Sequence, residues 1–265
     1  MNLGIIGLGV VGSANKLGFE KVGHTVSFHD PKYNTNIRNV LNSEIVFICV
    51  PTPSTDTGDC DTSILESTID SLTKLNYSGI IAIRSTSIAG FTQKMIDKYS
   101  NDKICFVPEM LRERFAIEDF IENHSVLAVG TLRNDVYEKV LLAHGDLPKN
   151  SVMMTPTEAE LLKYFNNVYA ALRVTFANVF YDVCNKLNCD YDTIKNSYIK
   201  TGKAVDMYLN ASENLRGYGG MCLPKDTKAF FRLIKNLGLD YTLIESVDKD
   251  NSLIKKTVFE GMRLE

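Results

Sequence analysis

Apolar residues in the N-terminal part of the chain come in short unbroken runs, at residues 3–6, 45–50, 80–83, 104–107 and 126–129. Runs of that length without polar alternation predict strands covered on both faces, as in a parallel sheet flanked by helices. Thr25-Val26-Ser27-Phe28-His29 adds an alternating strand that ends at Asp30. A helical stretch between the first two strands reaches Val22 and is stopped by Gly23, so the chain opens as a βαβ unit. Near residue 155 the pattern changes to a helical one. Thr155-Pro156-Thr157-Glu158 is a capping box with proline at the first helical position. Beyond it Leu162, Phe165, Tyr169, Leu172, Phe176, Val179 and Val183 recur in steps of three and four, which predicts one helix running to about Leu187. Further helices are predicted at 191–199, 225–237 and 242–262, with a glycine-rich loop at 217–220. The fold class is α/β: a Rossmann-type doubly wound parallel sheet over residues 1–154, then an α-helical domain over 155–265 built on the long helix.

Composition narrows the function classes. The 265 residues are 45% hydrophobic and 23% charged, and 29 Lys+Arg against 32 Asp+Glu give a net charge of −3. Those values exclude a disordered chain, a collagen-like repeat and a nucleic-acid binder held by net charge. No apolar run approaches a membrane span, and the chain enters its first strand without a signal-peptide start, so a cytoplasmic protein is expected. The six cysteines are scattered, and no histidine lies at zinc spacing from a Cys pair, so neither a disulfide framework nor a metal is expected.

The first chemical motif is Gly7-Leu8-Gly9-Val10-Val11-Gly12, which follows a strand, opens a helix and has Asp30 23 residues after Gly7. That context is the dinucleotide fingerprint. Gly7 makes the tight turn, Gly9 admits a pyrophosphate, Gly12 lets helix and strand pack, and the N–H groups of Val10 and Val11 face the anion. Asp30 can accept from a ribose diol and repels a 2′-phosphate, so NAD is the expected cofactor. Ligands of such sheets bind beyond the carboxyl ends of the strands. This makes Pro51, Thr52 and Thr86 cofactor candidates and adds Pro108-Glu109 to the site.

The second motif is Gly217-Tyr218-Gly219-Gly220-Met221-Cys222-Leu223-Pro224-Lys225-Asp226. Pro224 suits a first helical turn, which puts Cys222 at a helix N-terminus, where the dipole favours thiolate. Cys222 is then a candidate nucleophile and Asp226 a group to activate water. A lone cysteine also fits as a buried small hydrophobe. Lys163 and Asn167, one turn apart on the long helix, can both stabilise an oxyanion. On residue type alone, Glu109 and Glu113 read as a solvated helix face and Lys163 as an ion-pair partner of Glu160.

Residues 217–226 resemble the G-[FY]-G-G-x-C-[FL]-x-K-D signature of the UDP-glucose/GDP-mannose dehydrogenase family of nucleotide-sugar 6-dehydrogenases. Three further segments agree in order: Ser85-Thr86, Pro108-Glu109-Met110-Leu111-Arg112-Glu113, and residues 159–167, which are similar to A-E-x-x-K-x-x-x-N. The resemblance implies a four-electron oxidation of a sugar C6 alcohol to the uronic acid with two NAD, UDP-glucose first among substrates, in polysaccharide biosynthesis. It makes Cys222 the residue that carries a thiohemiacetal and then a thioester. Lys163, Asn167, Asp226, Thr86, Glu109 and Glu113 take catalytic roles. Glu109, Leu111, Lys163, Asn167, Tyr218 and Gly219 contact the substrate. The long helix implies a homodimer through the helical domain.

Some features depart from the family pattern. The family's further α/β domain is not expected within these 265 residues, Arg114 stands where a small residue is preferred, and the R-I-G segment has no clear match. The closing Leu264-Glu265 fits either a cloning scar or a natural end, and weak substrate binding is expected. Two other readings stay open: a single-hydride β-hydroxyacid dehydrogenase, and a non-catalytic NAD-binding homologue.

Overall fold

A computed structural model describes residues 1–259. The chain divides into two compact units, one of residues 1–55 and 60–163, the other of residues 56–59 and Tyr164 onward.

The first unit is a seven-stranded sheet with helices on both faces. In chain order its elements are β1 (Asn2–Ile6), α1 (Val10–Val22), β2 (Thr25–His29), β3 (Ile45–Ile48), α2 (Ser63–Lys74), β4 (Ile80–Ile83), α3 (Phe91–Tyr99), β5 (Ile104–Phe106), α4 (Ala116–Ile121), β6 (Leu127–Gly130), α5 (Asn134–His144) and β7 (Ser151–Met154). The strand order is β2-β1-β3-β4-β5-β6-β7. All four residues of β3 are buried. Ile45 and Phe47 join one core with Leu3, Ile5 and Phe19, while Val46 and Ile48 join the opposite core with Leu65, Ile69 and Ile83. Burial on both faces is why the runs are unbroken, at roughly 1.5–3 kcal/mol for each large side chain covered.

Two features of this unit differ from the sequence-based expectation. The sheet is not wholly parallel, because β6 pairs antiparallel with β5 through Phe106 and Gly130. The connection between them, residues 107–126, holds the six-residue α4, and a strand pairing of opposite sense beside an otherwise parallel sheet is common in doubly wound folds. The seventh strand, β7, was not foreseen: four residues at the sheet edge, the first three of them exposed, carry no periodic signal.

At the core of this unit lies a polar group that the pattern does not announce. Arg84, 3% exposed, follows β4. Its Nε donates to Asn15 Oδ1 at 2.6 Å, and a terminal nitrogen donates to His144 Nε2 at 3.2 Å. His144 Nδ1 in turn donates to the Val140 carbonyl at 2.7 Å, so the imidazole is neutral.

The second unit holds most of α6 (Pro156–Lys186), with α7 (Tyr191–Ile199), α8 (Leu223–Asn236) and α9 (Leu243–Leu253). The start of α6 is the capping box: Thr155 N–H donates to Glu158 Oε2 at 2.7 Å and Glu158 N–H to Thr155 Oγ1 at 3.4 Å. Val168, Ile234 and Ile244 bring α6, α8 and α9 together. The expected helix to residue 262 ends at Leu253, because the chain then pairs with residues 214–216: Thr257 N–H donates to the Arg216 carbonyl at 3.0 Å, and Arg216 N–H to Thr257 Oγ1 at 2.9 Å. Residues 260–262 of that expectation, and Leu264-Glu265, lie outside the described residues. The stripe read on α6 is partly uncovered, with Phe165, Tyr169, Phe176, Val179 and Val183 all exposed.

Candidate functional site

The carboxyl ends of β1, β3, β4 and β5 share one edge of the sheet, since these strands are parallel and adjacent. There the glycine turn takes the shape its sequence requires. Gly7 has φ of +90°, and a Cβ on Gly12 would sit 1.8 Å from the Gly7 carbonyl oxygen. In front of Gly9 the space is open, with no atom within 4 Å of where a Cβ would stand. Gly9 is also the N-cap of α1 and brings no side chain, so the first N–H groups, at Val10 and Val11, face outward without a cap.

Asp30 is fixed toward this turn. Its Oδ2 accepts from Leu8 N–H at 2.6 Å and its Oδ1 from Lys32 N–H at 2.8 Å. A cavity of about 640 Å³ opens beside it, lined among others by Gly7, Asp30, Val50, Pro51, Ser67 and Ser71. A second, of about 660 Å³, starts at Gly9 and Val10 and extends to Ser13, Glu113 and Arg114. Open space at Gly9, the uncapped helix and a carboxylate at the end of β2 fit a dinucleotide whose pyrophosphate lies on the glycine turn and whose ribose reaches Asp30. The serines of α2 were missed. Ser63, Ser67 and Ser71, at steps of four, face the first cavity while Leu65, Ile69 and Leu72 face the core. That amphipathic split was legible in the sequence.

Around these cavities the strand-end loops are tied to one another. Ser85 Oγ donates to the Val50 carbonyl at 2.7 Å. Thr52 is buried and Thr86 half-buried, its carbonyl accepting from Cys60 Sγ at 3.6 Å.

Glu109 and Lys163 form a buried pair. Lys163 Nζ lies 2.7 Å from both Glu109 Oε1 and the Glu109 carbonyl oxygen, and Glu109 Oε2 accepts from Leu111 N–H at 2.8 Å. Glu109 is therefore not a solvated face, and Lys163 does not pair with Glu160. Glu160 has no exposure and accepts from Gly90 N–H, Thr92 N–H, Thr92 Oγ1 and Ser87 Oγ at 2.6–3.2 Å. Burial raises its pKa and those donors oppose the rise. Glu113 begins a short 3₁₀ turn and lines the second cavity.

In the second unit Cys222 occupies the N-cap of α8, with Pro224 in the first turn. Asp226, wholly buried, holds Asn167 Nδ2 at 2.5 Å on one oxygen and Lys225 Nζ at 2.6 Å on the other. The glycine loop before it is clamped by two amides: Asn251 accepts from Tyr218 N–H and donates to the Tyr218 carbonyl, and Asn178 accepts from Gly217 N–H. The Tyr218 ring packs with Ala171 and Val247, while Gly219 is half-buried. Deep burial pushes the thiols of Cys49 and Cys105 up to about 12.

Residues 32–141 match the model of the NAD binding domain of the UDP-glucose/GDP-mannose dehydrogenase family, and residues 157–252 match that family's central domain. The chain belongs to the UDP-glucose/GDP-mannose dehydrogenase family. It is a nucleotide-sugar dehydrogenase homologue with NAD as cofactor. The chain is 27% identical over 292 residues to the UDP-glucose 6-dehydrogenase of Rickettsia bellii, covering 95% of this chain and 67% of that one. It is 29% identical over 229 residues to the enzyme of the same name from Rickettsia typhi, covering 83% and 51%. The chain thus spans from about half to two thirds of the length of these relatives. Its fold is that of a UDP-glucose dehydrogenase from Pyrobaculum islandicum, with a TM-score of 0.86 at 24% identity over 95% of this chain and 68% of the other. No helix among the described residues is long and apolar enough to cross a membrane.

Proposed function

We propose that the chain oxidises the C6 hydroxyl of a nucleotide sugar, UDP-glucose first, to the uronic acid with two NAD and one water. The observation that carries this reading is Cys222 at the start of α8, within a loop clamped by Asn178 and Asn251 and followed by the buried Asp226–Asn167 hydrogen bond. NAD, when bound, accepts a hydride in each of the two oxidations. The Cys222 thiolate adds to the C6 aldehyde left by the first; the thiohemiacetal loses the second hydride and becomes a thioester; water releases the acid and restores the thiol. Cys222 gains from its place at a helix N-terminus, which favours the anion. Lys163, held by two oxygens of Glu109, supplies positive charge where oxygen becomes negative, and Asn167 supplies an amide oriented by Asp226. Glu109, Asp226, Thr86 and Glu113 manage the water and the reacting oxygen. Leu111, Tyr218 and Gly219 face the sugar through backbone groups, since the Tyr218 ring is core.

Retention of Cys222, Lys163, Asn167 and Asp226 together favours catalysis over a purely binding homologue, which needs none of them. The uncovered stripe on α6 supports a homodimer through the helical domain, because Phe165, Tyr169 and Phe176 would otherwise face water. NADH formation across a panel of UDP- and GDP-sugars tests the reading. UDP-glucose should give the highest rate; no NADH with any sugar, from a chain that binds NAD, would favour the non-catalytic homologue.

A further inference from the structure

Arg114 receives no role from the family reading, which leaves a small residue at that position. Its surroundings give it one. Arg114 lines the cavity of about 660 Å³ that begins at Gly9 and Val10, the part of the glycine turn that faces a dinucleotide's pyrophosphate. Three carboxylates, Glu113, Glu118 and Glu122, line the same cavity, and Arg114 is the one basic residue among its lining residues. A doubly negative pyrophosphate brought against such a wall meets repulsion that the helix N-terminus of α1 offsets only in part.

The neighbouring arginine cannot take the task. The Arg112 guanidinium donates to Asp119 from Nε at 2.9 Å and from a terminal nitrogen at 2.6 Å, and it lies 4.7 Å from the Phe115 ring centre. Arg114 lies 5.6 Å from the same ring, and both residues line the cavity.

We infer that Arg114 is a cofactor-binding residue whose guanidinium pairs with the pyrophosphate of NAD and offsets the carboxylates of Glu113, Glu118 and Glu122. Guanidinium suits this partner because its fork of donors matches two phosphate oxygens. The inference rests on the NAD assignment and adds to it a charge that belongs to this chain's own sequence.

The test is calorimetric titration of the wild-type chain, Arg114→Gln and Arg114→Lys with NAD, ADP-ribose and adenosine, at low and at high salt, after thermal melts show that the variants are folded. At low salt Arg114→Gln should bind NAD and ADP-ribose about fivefold more weakly, as one exposed charge acting on a diphosphate implies. Adenosine should bind all three proteins equally, Arg114→Lys should recover part of the loss, and salt should close the gap. Equal NAD affinity for Arg114→Gln and wild type, or a parallel loss for adenosine, overturns the inference while leaving the cofactor assignment standing. Failure of the wild-type chain to bind NAD overturns both.

Discussion

Removing the Lys163 ammonium while leaving the Glu109 carboxylate in place measures how firmly this part of the site is held. Both side chains are nearly sealed from water, at 3% and 8% exposure, and the charges are 2.7 Å apart. At that distance their attraction is about 6 kcal/mol for an effective dielectric of about 20. Desolvation of the two ions takes back several kcal/mol of this, whereas orphaning one buried charge typically costs about 3–5 kcal/mol. Lys163→Met keeps the stem of the side chain and deletes the charge, so it should destabilise the chain by about 3 kcal/mol. Glu109→Gln keeps the acceptor for Leu111 N–H and should cost about 2 kcal/mol. In the double variant no unpaired charge remains, so the two losses should fall short of adding by about 2 kcal/mol. Urea unfolding of the four proteins, with midpoints compared at constant slope, gives the cycle. Additivity within about 0.5 kcal/mol, or single losses below about 1 kcal/mol, would refute the buried pair as an energetic unit.

Stability should fall in acid because of two histidines. His144 is held well below its ordinary pKa by burial and by the Arg84 charge, and His124 is lowered to about 4 by burial and the same charge. Both stay neutral in the folded chain and take a proton when unfolded, so their contribution is present above pH ~6.5 and lost on going down toward about 4, at up to about 2.7 kcal/mol per pH unit for the pair. His124→Phe should remove about half of that slope in urea unfolding against pH, and an unchanged slope would exclude His124 as a source. Wild type should prefer NAD over NADP by roughly a hundredfold in titrations, and Asp30→Asn should narrow that gap; equal wild-type affinities would defeat the Asp30 argument. Phe176→Glu on the uncovered face of α6 should turn a dimer into a folded monomer by light scattering, and a monomeric wild type would refute the dimer.

Much of the fold was legible because it follows from local rules. Runs such as 45–48 are buried on both faces, Thr155 and Glu158 meet as a capping box must, and Pro224 marks the turn that puts Cys222 at a helix start. Where the outcome depends on the rest of the chain, sequence spacing fails. Glu160 and Lys163 stand three apart on one helix, the spacing of an ion pair, yet Glu160 turns to Gly90 and Thr92 and Lys163 to Glu109. The direction of β6 appears only in its pairing with β5, and the end of α9 is set by a pairing with residues 214–216 some forty positions earlier. The stripe on α6 was visible as apolar, but periodicity does not say what covers it. At the candidate site the family motifs singled out the residues as candidates; that Glu109 is buried against Lys163, and that Asn167 is oriented by Asp226, came from the geometry.

The central claim is that Cys222 carries the sugar between two hydride transfers, and the ratio of NADH to uronic acid tests it most directly. Wild-type chain given excess NAD and UDP-glucose should form two NADH for each acid released, and Cys222→Ser, folded and still binding NAD, should release almost none of the acid while an aldehyde-level or enzyme-linked species builds up. One NADH per sugar with aldehyde as the final product, or undiminished acid release from Cys222→Ser, would contradict the account.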